Sequence, residues 1–423
     1  MADLLALSER VIDHGEYAGP ASVNRITTEL SEVADGLAVV ESFSHVVAFR
    51  TEAGLVLFDT SLDSLAPACL VSLRGWSDAP IRSIIYTHGH RDHAAGTRTY
   101  LDEAEARGDA RPEIVGHENV ALRFDRYELT DGYNAVINAR QFGDRRSSGQ
   151  PAGTFFADWV RPDRSYRAED TLTYGGADFV LHHGKGETDD HTWTWVPEHQ
   201  AVCAGDFFIW VFPNAGNPQK AQRYPREWVD ALRAMAATDP ELFLPAHGLP
   251  IAGKERIQRV LCGVADTLEE LVREVLERMN AGQALDTIVH EVRVPQAVLD
   301  QPWMQPVYDE PEFVVRNIWR LYGGWYDGNP ARLKPPPDSD LAREVAALAG
   351  GVDNLVRRVS ELAATGDLRL AAQIAEWAVQ AAPQDASAHG ARAEVYAARR
   401  AEEPSLMAKG IFRAAEGDSR PSG

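Results

Sequence analysis

Cysteine is scarce in this chain: Cys69, Cys203 and Cys262 are the only three among 423 residues, and they stand far apart. Such spacing excludes a disulfide framework and a Cys-x-x-Cys metal clip, and it suits a reducing compartment. No uncharged apolar run approaches the ~18 residues that a membrane-spanning helix needs. The opening residues, MADLLALSERVIDHGE, lack the cationic start and apolar centre of a signal peptide. A cytoplasmic protein with no membrane span is therefore expected. Positive charge is also short. The 42 Lys and Arg face 63 Asp and Glu, a formal net charge of −21, and no basic tract occurs. Nucleic acid and anionic membranes are disfavoured as partners.

What is present is ordinary globular composition, 44% apolar and 25% charged, long enough for two or three domains. Residues 24–60 read as an antiparallel meander, with LAVVESF, HVVAFRT and LVLFDT separated by turn signals. IRSIIY, EIVGH, ADFVLH, TWTWV, QAVCA and LFLPA supply further strands, with helices expected near residues 98–107 and 227–237. After Gly253 the apolar residues take helical spacing almost throughout. The expected division is a mixed α/β domain over 1–253, a helical extension with an aromatic segment over 254–333, and an all-α domain over 334–423 with a flexible C-terminal end. KPPPDSD at 334–340 reads as a rigid linker.

Chemistry concentrates in Thr87-His88-Gly89-His90-Arg91-Asp92-His93, three imidazoles and a carboxylate just after an apolar strand. Imidazole and carboxylate suit zinc and other first-row cations. One turn cannot aim four such groups at a single tetrahedral ion. A pair of ions is the natural reading, with His88 and His90 on one, Asp92 and His93 on the other, and the remaining ligands supplied from elsewhere. No GxSxG-type nucleophile motif occurs.

HGHRDH resembles the HxHxDH signature of the metallo-β-lactamase superfamily, whose fold is an αββα sandwich with a dinuclear site at one sheet edge. That resemblance picks out His191 in GKGETDDHTW, Asp206 in VCAGD and His247 in LPAHG. It implies one metal on His88, His90 and His191 and a second on Asp92, His93 and His247, with Asp206 bridging. It also implies that Asp59, closing LVLFDT, supports the ligands from behind. Two ions sharing a bridging hydroxide would perform hydrolysis, with Asp92 and Asp206 as the carboxylates of the reaction centre. Two zinc ions are expected, and the donor set is compatible with iron or manganese.

A narrower resemblance covers roughly residues 24–400. YNAVINARQFG, GKGETDDHTW, LYGGWYDGNP and ALAGGVDNLV…LAATGDLRLAAQIAEWAVQAAP are similar to the alkyl sulfatase branch of that superfamily. It implies sulfate ester cleavage, an α-helical dimerisation domain and a homodimer. A sterol-carrier-like third domain usually follows in that branch, and none is expected here. The sequence departs from the branch in two places. His191 and Asp206 stand where glutamate ligands are usual, and residues 212–228 replace its sulfate-binding segment. Tyr133, Asn134 and Arg140 occupy the Asn-Ala…Arg pattern, and Lys220 and Arg223 follow in a Gly/Pro/Asn-rich loop; these are the candidate contacts to an anionic substrate group. Trp303, Tyr308, Trp319, Tyr322, Trp325 and Tyr326 are read as helix-packing or interface residues, with an alkyl tunnel as the other reading. Competing functions are hydrolysis of a thioester, lactone or other carboxylic ester, di-iron redox chemistry, and a scaffold with a relic metal site.

Overall fold

Along Val46–Thr51 and Gly54–Phe58 successive side chains alternate between two apolar destinations, so these strands are buried on both faces. Val46, Ala48, Leu55 and Leu57 face a helix layer that contributes Ala66, Cys69, Leu73, Tyr100, Val120 and Phe124. Phe49 and Phe58 point the other way and meet Phe179 of a second sheet, with ring centroids 5.4 and 6.1 Å from it. The computed structural model describes residues 3–142, 155 and 157–420. Gly143, the last residue of the sulfatase-like segment that starts at Tyr133, lies outside them.

The first sheet holds seven strands in sequence order: β1 (Leu30–Ala34), β2 (Leu37–Val40), β3 (Val46–Thr51), β4 (Gly54–Phe58), β5 (Ile81–Ile85), β6 (Glu113–His117) and β7 (Arg164–Tyr166). β1 to β4 pair antiparallel, whereas β4 to β7 run parallel. The second sheet is built from β8 (Glu169–Tyr174), β9 (Ala177–Gly184), β10 (His191–Val196), β11 (Ala201–Gly205), β12 (Leu242–Pro245) and β13 (Ile251–Ala252). It is antiparallel except between β11 and β12. Helices Pro225–Ala237 and Lys254–Asn280 accompany this sheet, the second burying Ile257, Val260, Leu261, Val264, Leu268, Leu271 and Val275 along one stripe. The expected αββα sandwich is thus present. Two strands, β7 and β8, carry little apolar signal because each is an edge strand of its sheet.

The chain divides spatially into two units: Met1–Leu129, Phe156–Gln283 and Thr287–Gly324 form the first, and Thr130–Phe155, Ala284–Asp286 and Trp325–Gly423 the second. The second unit packs helices Asp338–Leu348, Val352–Ala364, Leu368–Ala381, Ala386–Glu402 and Leu406–Ser419 with helix Asp131–Phe142. Its cores are made of small residues, among them Ala371, Ala372, Ala375, Ala378, Ala388 and Ala391. Asp367, Asp385 and Ser405 cap three of the helices. Leu406–Ser419 is therefore an ordered, capped helix, where sequence reading expects a loose end. Composition gave no sign of it, because its stability comes from neighbours: Gly410 lets it approach Arg140 and Gln141 so closely that a Cβ there would meet the Gln141 carbonyl at 2.1 Å.

Strand direction brings the ligand candidates to one edge of the sandwich. Asp59 follows β4, His88 follows β5, Asp206 follows β11 and His247 follows β12, while His191 opens the antiparallel β10. The β4 and β5 segments are drawn together by Thr60, whose N and Oγ1 both donate to the His93 carbonyl, at 2.8 and 2.9 Å. Gly96 makes this contact possible, since a Cβ there would lie 2.1 Å from the Thr60 carbonyl and 2.7 Å from Ala66 Cβ. Gly96→Ala is expected to destabilise the first unit by about 1–3 kcal/mol through overpacking, read as a lower midpoint in denaturant unfolding.

Candidate metal centre

β5 runs straight into Thr87 and His88, so the motif starts at a strand end and turns at once into the short helix Arg91–Ala94. This turn sends His88 and His90 one way and Asp92 and His93 another. His88 Nε2 lies 2.7 Å from His90 Nδ1 and 3.8 Å from Asp206 Oδ2. His88, His90 and Asp206 can each offer a ligand atom within 4.8 Å of the others, and so can Asp92, His93 and His247. Asp206 Oδ2 also lies 3.4 Å from His93 Nε2 and 3.5 Å from His247 Nε2, so it faces both groups. His191 joins through its ring, whose centroid is 4.0 Å from that of His88. All seven residues that the resemblance picks out are therefore brought together.

These side chains fit divalent cations. His93 Nε2, both ring nitrogens of His191 and Asp206 Oδ1 are buried with no hydrogen-bond partner, an arrangement that needs an unusual explanation in a folded protein. Burial holds His88 and His90 well below the ordinary histidine range and takes His191 to about 3, leaving these three as neutral imidazoles. At His93 and His247 burial acts in the same direction. It is overcome by Asp206 and Asp92, which raise His93 well above the ordinary range and His247 to about 10. Neutral imidazole is the metal-binding form, and carboxylates that attract protons this strongly attract cations as well.

Asp59 stands behind the second group. Its carboxylate accepts from Thr87 N, Thr87 Oγ1 and His93 Nδ1, each at 2.7 Å. The backbone there has φ of +59°, a left-handed conformation in a residue other than glycine, held by those three bonds. Fixing Nδ1 as the donor leaves Nε2 of His93 turned toward Asp92 and Asp206. His45 steadies the next loop: its Nδ1 accepts from Ser42 N at 3.0 Å and its Nε2 donates to the Gly248 carbonyl at 2.8 Å, beside His247. Phe43, 38% exposed, meets His247 edge-on at 5.7 Å.

Several buried charged and polar residues surround the motif, of which sequence reading assigns no role to Glu187, Asn214, Asp190 or Arg123. Glu187 lies 3.8 Å from His90 Nδ1 and accepts from Arg223 at 3.0 Å and from Asn214. Burial pushes Glu187 up to about 7, against the pull of Arg223. Arg223 is itself buried, and its Nε has no partner. Lys220, on the same loop, is lowered to about 8 by burial and by the Arg223 charge. Tyr308 has its hydroxyl pKa raised by burial, then by the charges of Glu187 and Asp92. Asp190 and Arg123 form a buried ion pair beside His191, at 2.9 Å. Glu187 and Asp190 lie within GKGETDDHTW, but only the folded chain brings these residues together around the motif.

Two family models match the chain. That of the metallo-beta-lactamase superfamily covers residues 39–247, from β2 to the last expected ligand. This stretch matches the metallo-β-lactamase superfamily. A second, alkyl sulfatase dimerisation, covers residues 284–421. Curated relatives include a linear primary-alkylsulfatase of Pseudomonas sp. (strain ATCC 19151), 26% identical over 81% of this chain and 68% of that protein. An (R)-specific secondary-alkylsulfatase of Pseudomonas sp. is 24% identical over 83% of this chain and 56% of the relative. The chain thus spans between about half and two thirds of the curated relatives' length. Among solved structures, the stereoselective inverting sec-alkylsulfatase Pisa1 from Pseudomonas sp. superposes with a TM-score of 0.83 at 21% identity, covering 94% of this chain and 66% of that one. That similarity establishes the fold.

The remaining candidates are described by their own surroundings. Tyr133, Asn134 and Arg140 are on helix Asp131–Phe142 in the second unit. Tyr133 and Arg140 are exposed, while the buried Asn134 amide donates to the Thr130 carbonyl and hydroxyl in its own turn. Trp303 is buried and Trp325 is 70% exposed. Of the other histidines, His182 stacks on Trp193 at 4.1 Å and His183 on His117 at 3.8 Å. Among the described residues, no helix is long and apolar enough to cross a membrane. Asp59→Asn is expected to lower metal affinity about 10–100-fold, as losing a ligand-orienting carboxylate does, measured by chelator competition.

Proposed function

We propose that this protein is a dinuclear metal-dependent hydrolase whose preferred substrates are alkyl sulfate esters. His88, His90 and His191 would hold one ion, Asp92, His93 and His247 the other, with Asp206 shared. When bound, such a pair supplies Lewis acidity and lowers the pKa of water toward neutrality; zinc is the expected metal. Asp92 and Asp206 balance the ionic charge, and Asp59 keeps His93 in one tautomer.

The observation that carries the substrate class is the buried Arg223, whose Nε has no partner and whose Nη2 binds the Glu187 that faces His90. A guanidinium donor left unsatisfied next to the expected metal group suits an anionic oxygen. Lys220 adds a second cation on the same loop, and Phe43 offers apolar surface beside His247. Alkylsulfatase is also what the curated relatives are called. A second reading rests on the donor set: His191 and Asp206 in place of glutamates are the ligands of generalist superfamily members, which favours a thioester, lactone or other carboxylic ester.

The deciding experiment measures sulfate release from dodecyl sulfate beside thioester and lactone hydrolysis, using metal-loaded full-length protein. Sulfate release alone supports the first reading; turnover of the carboxylic panel alone moves the assignment to the second. Two metal equivalents per chain are expected, and His88→Ala or His247→Ala should cut turnover by at least about 100-fold, beyond what loss of a supporting residue costs. Lys220→Met should raise KM for an alkyl sulfate about tenfold, the loss of one charged hydrogen bond, with little change in metal content.

We also infer a homodimer formed through the second unit, supported by the match of its residues to the alkyl sulfatase dimerisation model. Light scattering should give twice the chain mass of 46.5 kDa; a monomer at micromolar concentration would refute it.

A further inference from the structure

Asp190 directly precedes His191, and its carboxylate is fully buried. Its Oδ2 accepts from Gly89 N at 2.8 Å, and Gly89 is the residue between His88 and His90. Its Oδ1 accepts from Arg123 Nε at 2.9 Å, while another nitrogen of the same guanidinium reaches Asp189. One carboxylate therefore joins the loop that bears His88 and His90 to the loop that bears His191. Space is as tight as the bonding: a Cβ on Gly89 would lie 3.0 Å from Asp190 Oδ2, 3.1 Å from Arg123 Cδ and 3.3 Å from Phe124 Cε1. Arg123 sits on helix Glu118–Leu129, whose Val120 and Phe124 are embedded in the core beneath the first sheet. The Asp189 carbonyl is held as well, by Asn119 Nδ2 at 3.1 Å and His183 Nε2 at 2.9 Å. The Asp92, His93 and His247 group has a different support, Asp59 on His93.

We infer that Arg123 and Asp190 are a positioning pair that presets His88, His90 and His191 for one divalent cation and leaves the second cation's affinity untouched. Both Asp190 oxygens are already accepting hydrogen bonds, so the residue acts through its neighbours rather than as a ligand. This inference rests on the ligand assignment proposed above, and its test separates the two.

Zinc affinity is measured by competition with a chromophoric chelator in two full-length backgrounds. His247→Ala leaves the His88, His90 and His191 group intact, and His88→Ala leaves the Asp92, His93 and His247 group. Adding Asp190→Asn or Arg123→Lys should weaken binding about 10–100-fold in the first background and stay within about twofold in the second, as for independent sites. Equal loss in both backgrounds would mark the pair as a general structural element and overturn the inference; unchanged affinity in both would overturn it too. Far-UV circular dichroism of the metal-free variants reports folding. If Asp190→Asn does not fold, Arg123→Lys, which keeps a cation against Asp190 and loses only the fork, carries the measurement. A wild-type chain that binds no zinc would sink the ligand assignment and this inference together, whereas two bound ions with indifferent variants would sink this inference alone.

Discussion

Five imidazoles and two carboxylates share one buried space, and this crowding is the constraint on which the rest of the first unit depends. Desolvation disfavours every charge there, and like groups at 4 Å separation work against one another. His88, His90 and His191 meet this by staying neutral, while His93 and His247 are held charged by Asp92 and Asp206. Such an arrangement persists only on a stiff frame. The sandwich supplies it, because the side chains project from the ends of β5, β11 and β12 and the start of β10, elements anchored by facing aromatic residues and two helix layers.

Each half of the centre has its own buried anionic support. Asp59 holds His93 and Thr87 from the end of β4, and Asp190 ties Gly89 to the residue before His191. The two carboxylates differ in how they are compensated. Asp59 faces the His93 ring and the Thr87 backbone and hydroxyl, and sits in a left-handed backbone conformation. Asp190 has a full countercharge, and although burial alone would raise it, Arg123 brings it down to about 2. Beside His90 lies a further buried charged group, Glu187 with Arg223, and burial and the Arg223 charge lower the pKa of Lys220 on the same loop.

The second unit solves a different problem. Its helices are short and alanine-rich, and alone they would be marginal in water. Small side chains let helices approach closely, so Ala371, Ala375, Ala378 and Ala388 are buried between neighbours, and Arg392 stitches Glu376, the Ala415 carbonyl and Ser419 together. Exposed Leu348 and Trp325, at 82% and 70%, leave apolar surface on this unit, in keeping with an association role.

Much of this was legible in the residues. Alternating apolar strands, helical spacing after Gly253 and the dense HGHRDH run are local patterns, and backbone geometry turns them into sheet, helix and a ligand-bearing turn without reference to distant contacts. The resemblance added His191, Asp206 and His247 by their order and context. Arg123 and Asn214 carried no such signal, and although Asp190 and Glu187 lie in GKGETDDHTW, nothing in that segment told their roles. β7 and β8 were silent because edge strands need few apolar residues. The sequence alone therefore determined the sandwich and the helical C-terminal region, and it named the candidate donors. Which charged residues stand behind those donors, Asp59 apart, was decided only by tertiary structure, because a buried ion pair gains its strength from partners 67 residues apart that meet where water is excluded.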